Sequence, residues 1–248
     1  MADQITYREI APHTALSPYI DAYWTVTGDN TGDVPDKILP DGCVDIILNF
    51  GPAFSTESGA TRMATGQPYL VGTMTRYKEM IRPPETRLVG VRFKPGGFPF
   101  FYDHVLLKNT ADRTVEFDPR LLPVIPEDTR RLPNLLDHFF YDRFSSSPQQ
   151  ILPLIAAIRQ AKGKITVSEL AKRNFVTIRQ LERLFAGYLD ISPKQFINFA
   201  RYHNTLEAIR RRQSHKSLLD IACECGYYDH AHLSNEIRKY TGALPSRL

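Results

Sequence analysis

Ile221-Ala-Cys-Glu-Cys-Gly-Tyr-Tyr-Asp-His-Ala-His-Leu-Ser234 reads as one short helix, a tight turn and the start of a second helix. The small Ala222 lets two helices approach closely. Gly226 can take the left-handed backbone that stops a helix. Asp229 is placed to cap the next one. An approximate copy lies upstream, where Leu170-Ala171 matches Ile221-Ala222 and Leu181 matches Leu233. The separations are 11 residues from Leu170 to Leu181 and 12 from Ile221 to Leu233, which leaves one extra turn residue in the second copy. Each copy is expected to be a helix-turn-helix unit, residues 167–173 with 177–187 and residues 218–225 with 229–240.

Helix starts surround these units. Thr166-Val-Ser-Glu169, Thr177-Ile-Arg-Gln180 and Ser192-Pro-Lys-Gln195 have capping-box spacing, and Pro193 sits where a first helical residue needs no N–H. Ser217-Leu-Leu-Asp220 offers a further cap. With Leu181 at the centre of a buried face, Leu184, Phe185 and Tyr188 fall within about 60° of it at 100° per residue. Arg179 and Arg183 then lie roughly opposite, flanked by Gln180 and Glu182, with Thr177 at the helix start. In the second unit Leu233, Ile237 and Tyr240 turn inward. Ala231, Asn235 and Arg238 turn outward, with His232 at the edge and His230 near the N-terminus. Arginine suits guanine O6/N7 or phosphate, and asparagine suits adenine. A lone Arg-x-x-x-Arg pair is ordinarily a solvated face; inside a matched double unit it reads as a DNA-facing one. Arg210-Arg-Arg212 is open between favourable charge at a helix C-terminus and a phosphate contact.

Arg179-Gln-Leu-Glu-Arg-Leu-Phe185, Ile191-Ser-Pro193, the 221–234 stretch, Lys239-Tyr-Thr-Gly242 and Pro245 resemble the AraC/XylS DNA-binding domain over about residues 149–248. The resemblance implies two recognition helices in successive major-groove segments, joined by a long helix from Pro193 to about Arg212. It implies double-stranded DNA and RNA polymerase as partners of a bacterial transcription activator. Phe175 stands where the family has a turn glycine, and Asp190 where glycine is common before Ser-Pro. These departures predict a shifted first turn or a longer helix.

Charge follows the same division. Residues 1–150 hold 15 Lys+Arg against 19 Asp+Glu, whereas residues 151–248 hold 16 against 8. A localised basic excess is the electrostatic footprint of nucleic-acid binding, though solubility alone also produces one.

Upstream, residues 19–26, 43–50 and 88–93 read as strands, separated by turn chemistry at 28–33, 40–42 and 95–97. Residues 52–68 read as a long surface loop, and Leu132, Leu135, Leu136, Phe139, Phe140 and Phe144 have helical spacing. The expected fold is α+β: a β-barrel-like (cupin-like) domain over 1–126, a helical connector over 127–147, and an all-α domain with two helix-turn-helix units over 148–248. The 132–144 helix is one candidate surface for a homodimer.

Tyr23-Trp24, Leu39-Pro-Asp-Gly-Cys-Val-Asp45 and Val89-Gly-Val-Arg-Phe-Lys-Pro-Gly-Gly97 are similar to a sensor-like domain that precedes this DNA-binding type in some regulators. That similarity implies a small-molecule effector or a dimer contact. Trp24, Asp41, Asp45 and Arg92 are the candidate effector-binding residues. Against this, tryptophan is ordinarily core, Asp-Gly is ordinarily a turn, and Arg92 alternates with Val91 and Phe93 as an exposed strand residue would. Cys43 is open between a redox sensor and a buried inert thiol.

Other classes find little support. His230-x-His232 and Cys223-x-Cys225 point to different helix faces and make poor chelates, so no metal is expected. No phosphate loop, dinucleotide fingerprint or hydrolase elbow occurs, so neither a cofactor nor an enzyme is expected. A cupin-like small-molecule enzyme would need clustered His/Glu, and only His13 and His104 fall in residues 1–125. An effector-independent DNA-binding module is the other alternative. No run of 18 apolar residues and no signal-peptide pattern occurs, and three cysteines give no disulfide framework, so a cytoplasmic protein without a membrane partner is expected.

Overall fold

Alternating side chains decide the N-terminal architecture. In the computed structural model, which describes residues 5–28, 36–56, 61–103, 105, 107–126, 128–145, 150–211 and 217–247, ten strands are assigned. They are β1 (Thr6–Ile10), β2 (Ile20–Gly28), β3 (Asp36–Ile38), β4 (Val44–Asn49), β5 (Phe54–Thr56), β6 (Thr61–Met63), β7 (Pro68–Val71), β8 (Lys78–Met80), β9 (Thr86–Phe93) and β10 (Thr114–Glu116). Six of them form an antiparallel sheet in the order β1-β2-β9-β4-β7-β10, and β3–β8 and β5–β6 form two small ladders.

The period of two sends each strand's residues to two different cores. Tyr23, Val44, Ile46, Val89, Val91 and Phe93 face one side, where they pack with Phe98, Phe101 and Tyr102. Helix α1 (Leu132–Arg143) closes that side with Leu132, Leu136 and Phe140, all fully buried. Trp24, Val26 and Leu88 face the other side, against Phe54 and Met63 of the small β5–β6 ladder. Register completes this second face by pairing Trp24 with Gly90, Asp45 with Arg92 and Ile47 with Gly90.

The strand-rich domain precedes a helical one as anticipated, but its sheet is open and not a barrel. Closure requires the edge strands to pair along their length; β10 has three residues, and among the described residues β1 pairs only with β2. The 52–68 segment is not all loop, because Phe54 and Met63 pair across β5 and β6 and are both buried. Two apolar residues suffice where a larger sheet supplies the opposite wall. The 29–33 and 146–148 parts of the anticipated turn and linker lie outside the described residues.

The remaining helices are α2 (Ile151–Gln160), α3 (Val167–Arg173), α4 (Ile178–Leu189), α5 (Pro193–Arg210), α6 (Leu218–Glu224) and α7 (His230–Thr241). Capping boxes begin α3, α4, α5 and α6, and the Asp229 carboxylate accepts from the His232 N–H to begin α7. One apolar core joins all six, with Leu170, Leu181, Phe185, Phe196, Tyr202, Leu233 and Ile237 fully buried. Burying each such side chain stabilises by about 1.5–3 kcal/mol. Helix α5 runs through this core as the long connector anticipated from Pro193; Arg212 lies outside the described residues.

The two turns superpose in hydrogen bonding. Val176 N–H donates to Ala171 O at 3.1 Å, and Tyr227 N–H donates to Ala222 O at 2.9 Å. Phe175 therefore stands in the place of Gly226, and both are left-handed, at φ 54° and 79°. The first turn is thus neither shifted nor absorbed into a longer helix. The extra residue of the second unit is Tyr228, which precedes the Asp229 cap. Phe175 accepts a conformation that costs a non-glycine residue about 1–2 kcal/mol, while the residue is 96% exposed. Phe175→Gly is expected to raise stability by about 1 kcal/mol, read as a higher midpoint in urea unfolding; a lower midpoint would contradict this account of the turn.

Candidate nucleic-acid interface and ligand cavity

Helix α4 buries Leu181, Phe185 and Leu189, and α7 buries Leu233, Ile237 and Tyr240. The opposite faces carry the sequence candidates, and Thr177, Arg179, Gln180, Glu182, Arg183, His230, Ala231, His232, Asn235 and Arg238 are all exposed. Their freedom differs. Thr177 and Gln180 are engaged with each other, because Gln180 Oε1 accepts from the Thr177 N–H at 2.7 Å and Thr177 Oγ1 accepts from the Gln180 N–H at 3.1 Å. The His232 ring lies edge-on to Tyr227 at 5.2 Å. Arg179, Glu182, Arg183, His230, Asn235 and Arg238 have no side-chain hydrogen bond or ion pair to another described residue. Those six are the polar groups available to an outside partner, and the three arginines and Asn235 are the ones whose chemistry suits phosphate or base edges.

The buried part of this domain holds its second layer in place. Arg201 of α5 bonds Glu236 of α7 at 3.2 Å and lies over the Tyr227 ring at 4.8 Å. Both charged side chains are mostly buried. That tie fixes α7 against α5, and sequence periodicity gave no sign of it.

The second face of the six-stranded sheet borders a cavity of about 490 Å³. Trp24, Asp41, Asp45 and Arg92 all line it, together with apolar side chains such as Ile47 and Met63. Trp24 Nε1–H donates to Asp45 Oδ1 at 2.7 Å. Arg92 meets Glu9 at 2.9 Å, Asp41 at 3.3 Å and Asp45 at 3.5 Å. Burial opposes the Arg92 charge, but Asp45 and Asp41 hold its pKa above the ordinary value. Burial, and then the neighbouring Asp41, push the Asp45 carboxyl up. Arg92 is therefore no solvated strand residue; its alternation with Val91 and Phe93 points it into the cavity. Glu9 and Tyr7, whose hydroxyl donates to Glu9, were missed. They lie on an exposed edge strand without a motif.

The cavity reaches the helical domain through one turn. Asp41 Oδ1 accepts from the Cys43 N–H at 2.8 Å, and the left-handed Gly42 lies against Phe199 of α5. A Cβ on Gly42 would come 2.6 Å from Phe199 Cε1. Beside it, His203 Nε2 bonds Pro40 O at 3.0 Å. Burial lowers the His203 pKa, and Nε2 is the donor of this bond because a carbonyl oxygen only accepts. A second tie explains Asp190. Left-handed at φ 55°, its carboxylate accepts from the Thr110 and Ala111 N–H groups at 2.7 and 2.8 Å. Glycine there would preserve the bend and lose both bonds.

Burial, Asp41 and Asp45 raise the Cys43 thiol well above its ordinary value, opposite to what a reactive thiolate needs. Among the described residues no group of three or more metal-ligating side chains is found, and no helix is long and apolar enough to cross a membrane.

Residues 170–248 match a helix-turn-helix domain family, and residues 8–116 match a domain of unknown function, DUF6597. Among curated proteins of Pseudomonas aeruginosa, the chain is 32% identical to the HTH-type transcriptional regulator CdhR over 42% of this chain and 31% of that one. It is 38% identical to the HTH-type transcriptional regulator GbdR over 39% of this chain and 25% of that one. The chain thus matches a quarter to a third of these relatives' length. Among solved structures, ToxT from Vibrio cholerae aligns over 100% of this chain and 97% of its own, at 8% identity and a TM-score of 0.47. An AraC-type regulator domain from Chromobacterium violaceum aligns over 38% of this chain and 88% of its own, at 24% identity and a TM-score of 0.34.

Proposed function

We propose that this chain, whose C-terminal third is an AraC-type helix-turn-helix domain, is a sequence-specific DNA-binding transcription regulator whose DNA affinity responds to a small molecule in the N-terminal cavity. One observation carries the DNA-binding half. Two capped helices rise from a shared core and present Arg179, Arg183, Asn235 and Arg238 outward without side-chain hydrogen-bond or ion-pair partners among the described residues. One geometric link supports the responsive half. Asp41 belongs to the cavity wall, and its neighbours Pro40 and Gly42 rest on α5, which connects the two units.

The domains are taken as residues 1–126 and 148–248 with 127–147 between them. The role is binding and not catalysis, in the cytoplasm, with RNA polymerase as a further partner. A homodimer would need a surface other than the apolar face of α1, which is already buried on the sheet.

The experiment is selection of duplexes from a random pool, followed by titration of the selected and an unrelated duplex. Arg183→Ala is expected to weaken the selected duplex by about 1–3 kcal/mol, roughly five- to 150-fold, and the unrelated one by less. Equal weakening of both would reduce Arg183 to a phosphate contact. Failure of the wild-type chain to enrich any sequence would remove the proposal.

A further inference from the structure

The cavity is chemically lopsided, and that asymmetry identifies what it takes. Its floor is apolar and adaptable, with Val26, Ile47, Phe54, Met63, Met74 and Leu88. Three methionines line it in all, counting Met80, and methionine fits itself to varied apolar shapes. At one end stand the aromatic rings of Tyr7 and Trp24, with centroids 6.2 Å apart and planes inclined at 43°.

Charge at that same end is out of balance. Glu9, Asp41 and Asp45 surround the single cation Arg92. An anionic ligand would find the Arg92 guanidinium already occupied by three carboxylates and would be repelled by them. The other cations on the wall, Lys37, Lys78 and Arg82, come from or adjoin the β3–β8 ladder. Lys37 pairs with Glu79 at 3.7 Å, and Arg82 with Asp36 at 3.3 Å.

Resting on the effector-responsive reading above, we infer that the cavity binds a small organic cation, its apolar body on the methionine-lined floor and its positive head between Trp24, Tyr7, Asp41 and Asp45. Three attractions converge on the head. The faces of Trp24 and Tyr7 favour a cation by cation–π contact, the carboxylate excess favours it by charge, and the partly closed site lessens screening by salt. The apolar floor excludes a bare inorganic ion, which would lose hydration there without compensation.

Trp24 is the sole tryptophan of the chain, so indole emission reports this site alone. The test titrates the wild-type chain to 10 mM with three probes of matched body, n-hexyltrimethylammonium, n-hexanol and n-hexanoate, and follows Trp24 emission. Saturable change with the ammonium probe, at least tenfold tighter than with hexanol and absent with hexanoate, is expected. Asp41→Asn, which keeps an acceptor for the Cys43 N–H, is expected to weaken the ammonium probe about fivefold or more and leave hexanol unchanged. Hexanoate binding as tightly as the ammonium, equal affinity for hexanol, or no saturable change with any probe would each overturn the inference. Titration of the selected duplex in parallel separates this failure from failure of the DNA-binding reading, because a chain that binds its selected duplex and takes up none of the probes as expected loses the cavity inference alone.

Discussion

Gly90→Val is expected to cost about 3 kcal/mol or more, lowering the urea midpoint and moving Trp24 emission to the red in the native state. Gly90 lies opposite Trp24 on one side and Ile47 on the other, at the centre of the six-stranded sheet. A Cβ built there would fall inside the Trp24 indole, against Cε2 and Cζ2. The indole cannot withdraw without giving up the bond from Nε1 to Asp45 and its place on the cavity wall. The residue is therefore glycine for want of space. Gly187→Ala is the contrast. That position in α4 has nothing within 4 Å of an added Cβ, and alanine there is expected to stabilise by up to about 1 kcal/mol through helix propensity. Similar unfolding midpoints for the two variants would contradict the packing described for the cavity face.

Leu233→Asp is expected to abolish sequence-selective DNA binding, with a loss of about 10³-fold or more toward the non-specific level. Leu233 is fully buried where α7 meets the shared core. An unpaired carboxylate there faces a desolvation penalty of several kcal/mol and cannot stay in place. The second unit then loses the seat that aims Asn235 and Arg238 outward. The six-stranded sheet has its own core, so Trp24 emission is expected to keep its native maximum. Retention of selective binding in a variant with a disrupted second unit would mean that α4 alone reads the site.

The helical third was legible because its signals are local. Each capping box spans four residues, and a 3.6-residue period orders Leu181, Phe185, Leu233 and Ile237. Even the extra turn residue was countable, and the structure identifies it as Tyr228. Phe175 misled because its left-handed backbone is set by the turn's hydrogen bonds and not by its side chain. Asp190 misled for a different reason. Its carboxylate answers two N–H groups some eighty residues away in sequence, and no local pattern records such a bond.

Upstream, the three central strands were visible and the edges were not. Strands β3, β5, β6, β8 and β10 have three residues each, too short for alternation to rise above chance. Barrel closure was over-read from strand number, since nothing in short strands says whether the edges meet. The four cavity residues were nameable from motifs, but their union depends on register. Asp45 faces Arg92 across β4 and β9. Trp24 reaches Asp45 only because Gly90 leaves room between them.

One chain is expected to read DNA with two units at once, and hydroxyl-radical footprinting of the full chain on its selected duplex tests this most directly. Two protected stretches about one helical turn apart, roughly 10 base pairs centre to centre, are predicted, with the stretch assigned to α4 weakened selectively by Arg183→Ala. A single protected stretch, or protection that does not follow the selected sequence, would contradict the account.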